Sequence, residues 1–445
     1  MFQRRSNAGI SIGRVLAVFL VALFAVLPAA AGAAPNATYA ASGSGLVLGL
    51  DLLVTGPANP QGLTLAAAAT DISSQPVANA KGAGRCEALA VGESIMSLPC
   101  TATNTQTAQA LTDIQDPPQK CDSSLPAPLG DVLSLTTTCG DALAQVVGGN
   151  PKAEGRGEVS RVSLKLDLEP LLGDTVENTL EAVLNALDPV LDALPPNIKD
   201  ALKSALEGNT NSLEVRLGSV ISTSSVEGNL VKSRTDSSGA VIGILGIPIC
   251  TTANDTTSCT LNPDPVTDGL IIIEVADAFA QATWDGSNAQ AAAETKQAIA
   301  RILIRDLTKP AERAYLAPIE VGPGSSQTTP ATVPALLETT VSIGSPTTSV
   351  NNEARKGSAS SSVSGVEVHA LKGLGASSAD AKDGGVRLRI ASAAAAAQGE
   401  VPQVLGVSPP LPATGGERAY FYVIALLMVA GAPALYLAAR RLSKA

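Results

Sequence analysis

Alternation of apolar and polar positions dominates the chain. Ser44-x-Leu46-x-Leu48-x-Leu50-Asp51-Leu52 has period two, and Ser160-x-Val162-x-Leu164-x-Leu166-Asp167-Leu168 repeats it almost position for position. Successive side chains of a strand point to opposite faces, so this period predicts strands with one buried face. Leu213-x-Val215-x-Leu217 is another such stretch, with shorter echoes at 364–368 and 385–390. Turns rich in Ser, Gly and Asn separate them, at a spacing too irregular for a solenoid. Gly43, Gly45 and Gly49 lie inside the first alternating strand with no helix after them. A dinucleotide-binding loop is therefore excluded there.

Two stretches carry the helical period instead. Asp174-Thr175-Val176-Glu177 has the form of a capping box, and Val176, Leu180, Val183, Leu184 and Leu187 follow at helical spacing. Pro196 suits the first turn of a second helix, with Ile198, Ala201, Leu202, Ala205 and Leu206 along one side before Gly208. Together they predict a helical insertion at about 174–207. A third helix is expected at about 288–307, with Ile299, Ile302 and Leu303 on its apolar side. Residues 322–334, rich in Gly, Ser, Thr and Pro, read as an exposed connection. The predicted fold class is β-rich α+β: a β-sandwich-like core over 34–397, interrupted by helical insertions.

Both ends of the chain carry export signals. Arg4, Arg5 and Arg14 precede or open an apolar run, Val15 to Leu27, which the small residues Ala29 to Ala34 follow. That order predicts a secretory signal peptide over 1–33. At the other end, an uncharged run from Ala419 to Ala439 precedes Arg440, Arg441 and Lys444. About 20 apolar residues suffice to cross a bilayer as a helix, and the basic end belongs in the cytoplasm. Just before it stands Leu411-Pro412-Ala413-Thr414-Gly415.

The order of pentapeptide, apolar span and basic tail resembles the cell-wall sorting signal of Gram-positive surface proteins. The resemblance covers residues 411–445 and matches all five motif positions. It implies that a sortase cleaves between Thr414 and Gly415 and joins Thr414 to peptidoglycan. Leu411, Pro412, Ala413, Thr414 and Gly415 would then be a substrate, and the membrane helix at 419–439 a transient anchor. Residues 398–410 read as a short Pro-containing stalk, which together with Leu411 and Pro412 reaches at most about 50 Å.

Composition narrows the function. With the two terminal signals set aside, the exported part holds 23 basic and 39 acidic residues, a net charge of −16. Such a chain repels nucleic acid and anionic lipid. Its aromatics are only Tyr39, Phe279, Trp284 and Tyr315, too few for a broad stacking platform. Three of them lie close together in sequence. They predict an aromatic mini-core around the third helix, or a contact with an extracellular ligand for which Trp284 is the candidate anchor.

Cys86, Cys100, Cys121, Cys139, Cys250 and Cys259 are even in number, and in an exported chain they predict disulfides. Cys250 and Cys259 bracket a polar turn and read as the staple of a hairpin. The other four allow three pairings, of which loop length favours 86 with 100 and 121 with 139. Zinc is disfavoured: there is no C-x-x-C, and the one histidine, His369, is distant.

Candidate chemistry is sparse. His369 shares its strand phase with Glu367 and should face outward, and no nucleophile motif accompanies it. Two acids in Asn262–Gly269 allow a calcium site, but the EF-hand spacing is missing and turn chemistry accounts for them. No metal or cofactor is expected. The Ala-rich composition with cysteines resembles high-GC actinobacteria, and the exported part resembles their "choice-of-anchor" surface families. The expectation is a wall-anchored structural or adhesive protein without enzymatic activity, localised to the Gram-positive cell surface. The alternative is a wall-associated hydrolase using paired carboxylates.

Overall fold

The alternating stretches are strands, assembled into three sheets and one small hairpin. They are numbered here in chain order. The computed structural model describes most of residues 37–401. Outside the described residues lie 1–36, 53–60, 90–94, 98–100, 108–119, 122–132, most of 166–210, 307–313, 331–337, 373–383, 402–445 and a few shorter positions. The signal peptide, the LPATG pentapeptide, the 419–439 span and Cys100 therefore fall outside the described residues. Among those described, no helix is long and apolar enough to cross a membrane.

Sheet I draws on both ends of the described chain. Its strands are β1 (Thr38–Leu52), β2 (Gln61–Ser73), β3 (Asn79–Leu89), β4 (Ile95–Ser97), β5 (Ala102–Thr107), β22 (Ser325–Thr328), β23 (Thr340–Ile343), β24 (Thr347–Asn352), β25 (Lys356–Val363), β26 (Val366–Ala370) and β27 (Val386–Glu400). The order is β22-β23-β26-β27-β1-β2-β3-β4, while β25 also pairs with β27, β24 with β25, and β5 with β3. First and last strands thus lie side by side, Ser42 opposite Ala396.

Sheet II contains β6 (Lys120–Cys121), β8 (Thr138–Val147), β9 (Asn150–Val159), β12 (Ser219–Glu227), β13 (Leu230–Ser237), β18 (Ala278–Asp285) and β19 (Gln290–Lys296). Sheet III contains β7 (Leu133–Leu135), β10 (Arg161–Lys165), β11 (Asn211–Arg216), β14 (Ala240–Gly246), β17 (Gly269–Val275), β20 (Ala300–Ile304) and β21 (Ile319–Val321). Their orders correspond: β19-β18-β13-β12-β9-β8 in one matches β20-β17-β14-β11-β10-β7 in the other. Each strand passes into its counterpart through a link of one to three residues. The links are themselves bonded, as in Leu217 N to Ser160 O (3.2 Å) and Ala276 N to Ile299 O (2.9 Å). Sheets II and III are therefore successive halves of a set of long strands that bend together.

Sheet I bends too, and its composition changes where it does. On β1 the buried positions are Tyr39, Ala41, Gly43 and Gly45 before Val47, then Leu48, Gly49 and Leu50 after it. On β27 Leu388 and Ile390 give way to Ala391, Ala393, Ala395 and Ala397. Ala66 and Ala391 take the left-handed conformation (φ 51° and 59°), which costs an L-residue about 1–2 kcal/mol. The kink shifts the buried phase by one residue. Leu46 is consequently only half-buried, where unbroken alternation would have put it inside with Leu48 and Leu50.

The Leu half shares one buried cluster with the Ile and Val residues of sheet III, such as Ile242, Ile273 and Ile302. The small-residue half lies directly on sheet II. A Cβ on Gly84 would stand 2.1 Å from the Arg156 carbonyl oxygen, and one on Gly155 2.3 Å from that of Ala83. Backbone meets backbone there, so nothing larger than glycine fits. Beside this contact the interface is a buried hydroxyl chain. Thr70 Oγ1 lies 2.9 Å from both Ser222 Oγ and Ser224 Oγ. Ser222 reaches Thr235 (3.0 Å), and Ser224 donates to Ser233 (3.1 Å). Ser233 donates to the Ser42 carbonyl (2.7 Å) and Thr235 to that of Ala394 (3.0 Å). A satisfied bond of this kind contributes about 1 kcal/mol, but an orphaned buried hydroxyl costs more.

Three expectations are corrected. Within the helix expected at 288–307, residues 290–296 and 300–304 form β19 and β20. Ala298, Ala300, Ile302 and Ile304 are buried with period two while Ile299 is exposed, so burial against the sheet overrides the helix propensity of alanine. The connection at 322–334 contains strand β22. The stalk begins later than residue 398, because β27 runs to Glu400. In the 174–207 insertion Pro196, Lys199 and Asp200 are helical and the remainder is largely outside the described residues. One other short helix, α1 (Pro265–Asp268), starts on Asp264, whose side chain accepts from Val266 N.

Candidate binding groove

Sheet II holds the small-residue half of sheet I from below, and the opposite face of that half is concave. Register defines what it presents. One row across five strands reads Asp71, Ser42, Ala396, Ser360, Ser349. The next reads Ser73, Ala40, Gln398, Ser358, Asn351, and the one on the other side Ala69, Ser44, Ala394, Ser362, Thr347. Neighbouring strands lie about 4.8 Å apart and same-face residues along a strand about 6.7 Å. The result is a grid of hydroxyls, amides and methyl groups.

Three depressions follow this grid. One of about 440 Å³ is lined by Thr38, Ala40, Gln398, Ser358 and Glu400 among others. A second of about 420 Å³ shares Ala40, Ser358 and Gln398 with it. A third of about 300 Å³ shares Ser42, Ser360 and Ala396 with the second. They form one groove along β1, β27 and β25. Its middle carries one charge, Asp71 on the β2 side, and the other charges gather at the Glu400 end. There Lys356 Nζ lies 3.2 Å from the Glu400 carboxylate and Arg355 3.9 Å from it. Tyr39 also lines this end, where burial pushes its phenol pKa up.

The hydroxyl chain beneath fixes the groove's position, since Ser233 and Thr235 grip the backbone of Ser42 and Ala394 from the inner side. At the β24 edge Asn352 does a similar task. Its side chain accepts from Ala291 N (2.7 Å) and donates to Ala291 O (3.3 Å), tying sheet I to the edge strand of sheet II.

The outer face of sheet II is different in kind. Arg234 donates to both Asp236 carboxylate oxygens (2.7 and 2.6 Å), bonds Gln281 (3.2 Å) and stacks 4.4 Å above the Phe279 ring. Arg156 pairs with Glu158 at 3.1 Å. This is the mixed-charge surface expected of a sheet that meets only water.

Trp284, the candidate anchor, is 0% exposed and so belongs to the core, not to a contact surface. Its ring lies under the paired glycines 357 and 399, where an added Cβ would come within 2.6 and 2.3 Å of it. It props the groove floor from inside. The aromatic mini-core is corrected as well: Phe279 takes Arg234, and Tyr315 takes Arg305 at 5.5 Å. The Tyr315 hydroxyl donates to Thr267 O and Gly269 O.

His369 sits half-buried beside Glu367 in phase, with Nε2 2.7 Å from the Gly384 carbonyl. Burial, more than the nearby cations, pushes its pKa down. Asp264 is engaged by Arg216, which also holds the buried Glu214 together with Arg161. Among the described residues no group of three or more His, Cys, Asp or Glu side chains converges as a metal site. Cys139 is disulfide-bonded and stands opposite Cys121 in the ladder. Cys250 stands opposite Cys259 in β15 (Cys250–Ala253) and β16 (Thr256–Cys259). Cys86 is on β3.

No protein-family model and no curated protein matches the chain. Among solved structures, the toluene transporter TodX of Pseudomonas putida is 9% identical, with 85% of this chain and 93% of that chain covered, at a TM-score of 0.12. The toluene transporter TbuX of Ralstonia pickettii is 10% identical, with 81% and 89% covered, at 0.15. Likeness at that level carries no argument about this chain.

Proposed function

We propose that the protein is an exported Gram-positive surface protein, joined by a sortase to peptidoglycan through Thr414, and that it acts without catalysis as a structural or adhesive module. Its binding surface on this reading is the groove over sheet I. The observation that supports it is the contrast between two outer faces of one sandwich. One is dressed with ion pairs, and the other is a concave grid of Ser, Ala, Thr, Asn and Gln in which Asp71 is the one charge away from the Glu400 end. A face exposed only to water gains solubility from charge. Small uncharged side chains instead let an extended ligand approach the backbone closely. Contact energy per copy is modest where aromatic anchors are lacking, so attachment relies on many wall-borne copies acting together. Three disulfides, 86–100, 121–139 and 250–259, staple the exported part.

The test has two arms. Thr414→Ala should move the protein from muramidase-solubilised wall to the membrane fraction, and equal recovery from wall would refute the anchoring. Ser42→Ile with Ala396→Ile should fill the groove and lower attachment of displaying cells about tenfold, with wall recovery unchanged. Full attachment would refute the groove. Turnover of a polysaccharide or ester that disappears in Asp71→Asn or Glu400→Gln would replace this reading with the carboxylate hydrolase.

A further inference from the structure

We infer that the groove takes an uncharged polysaccharide strand of the same wall that carries the protein, an inference that rests on the anchoring and groove reading above. The first support is where the chain leaves the fold. Glu400 lines the charged end of the groove. Val401, the next residue, is clamped by Arg355: its N–H donates to Arg355 O (2.9 Å), and its carbonyl accepts from the guanidinium (2.7 and 3.2 Å). Only residues 402–413 separate this clamp from Thr414. Even fully extended they span at most about 45 Å at roughly 3.5 Å per residue. The polymer within reach of the groove is then the wall itself.

The second support is the chemistry of the lining. Asp71, Glu353 and Glu400 outnumber Lys356 and the adjoining Arg355, so a phosphate-rich polymer is repelled. Apart from Asp71, the side chains over the middle of the groove are Ser, Ala, Thr and Gln, which offer nothing to seat the apolar face of a helix or an acyl chain. Hydroxyls and amides are donors and acceptors at once, as sugar hydroxyls are. The methyl groups of Ala40, Ala394 and Ala396 between them give contact for the C–H faces of a sugar. From Ser362 to Lys356 the groove follows six strand steps, about 20 Å at roughly 3.3 Å each. An extended polyhydroxylated chain without charge fits both the length and the lining.

The test uses the full chain with Thr414→Ala, purified from membranes in detergent and mixed with protein-free walls of the producing organism. It should sediment with the walls, be displaced by neutral polysaccharide released from them, and resist displacement by polyphosphate. Adding Ser42→Ile and Ala396→Ile should lower the bound fraction about tenfold, and Thr223→Ile on the outer face of sheet II should leave it unchanged. Unchanged indole fluorescence certifies that the variants are folded. Displacement by polyphosphate alone, or no sedimentation of the unmutated groove, would refute the inference. If wall binding is absent but cell attachment still depends on the groove, only the polysaccharide assignment falls. Indifference to the groove substitutions in both assays would overturn both readings.

Discussion

Trp284 is the chain's single tryptophan, so protein fluorescence reports one indole under one pair of glycines. Truncating it to Ala removes a side chain that is 0% exposed, and such truncations cost about 3–5 kcal/mol. That is a large share of a typical stability of about 5–15 kcal/mol. Nε1 has no hydrogen-bond partner among the described residues. Trp284→Phe therefore sheds an unsatisfied donor along with its volume, which offsets about 1–3 kcal/mol of the loss. The milder variant should cost less than about 2 kcal/mol. Gly399→Ala places a methyl 2.3 Å from the ring, an overpacking worth about 1–3 kcal/mol. With the ring gone the clash vanishes, so Gly399→Ala should be nearly silent in the Trp284→Ala background. Denaturant unfolding of the four proteins, followed by far-ultraviolet circular dichroism, closes the cycle. Additivity within about 0.5 kcal/mol, or the red-shifted emission of a solvated indole in the unmutated protein, would refute the packing argument.

Three further outcomes are expected. Burial holds the folded pKa of His369 below its ordinary 6.5, so the unfolded chain binds more protons between the two values. Stability from this group is complete above pH 6.5 and is lost as pH falls through the folded value; His369→Asn should flatten that part of a urea-midpoint profile. Thiol titration of the denatured, unreduced exported chain should find no reactive group, and two or more free thiols would reject the three-bridge framework. Gly84→Ala, whose methyl meets only backbone atoms at 2.1–2.8 Å, should destabilise more than Gly43→Ala, whose methyl meets hydroxyls at 2.4–2.9 Å. Equal losses in denaturant midpoint would show that the two sheets can separate freely.

Much of the architecture was legible because one physical signal, period-two alternation, specifies strands. It located β1, β10, β11, β26 and β27 and put His369 in phase with Glu367, while the polar turn between Cys250 and Cys259 set those two opposite each other. It failed where a second effect competed. Ile299, Ile302 and Leu303 satisfy a helical stripe, while Ala298, Ala300, Ile302 and Ile304 satisfy a strand, and only the neighbouring β17 decides between them. The kinks at Ala66 and Ala391 were hidden because alanine gives no hint of a left-handed backbone. Trp284 was misplaced for a related reason. An aromatic residue in a chain with few of them reads as a contact, yet the glycines that receive it lie 73 and 115 residues further on.

The groove was hidden most completely, because its two faces use the same residues for different reasons. From Ala393 to Ala397 every residue of β27 is alanine, so alternation disappears although the strand still has an inside and an outside. Ala393, Ala395 and Ala397 are buried because sheet II comes too close for anything larger. Ala394 and Ala396 face the groove, where no such limit operates. Close sheet packing therefore explains three of these five alanines and leaves Ala394 and Ala396 to be explained by what the groove receives. The two causes separate experimentally. Enlarging Ala395 should destabilise the fold by overpacking, whereas enlarging Ala396 should spare the fold and impair binding. If enlarging Ala396 proved as destabilising as enlarging Ala395, the outer alanines would be structural as well, and the strongest support for a binding groove would be gone.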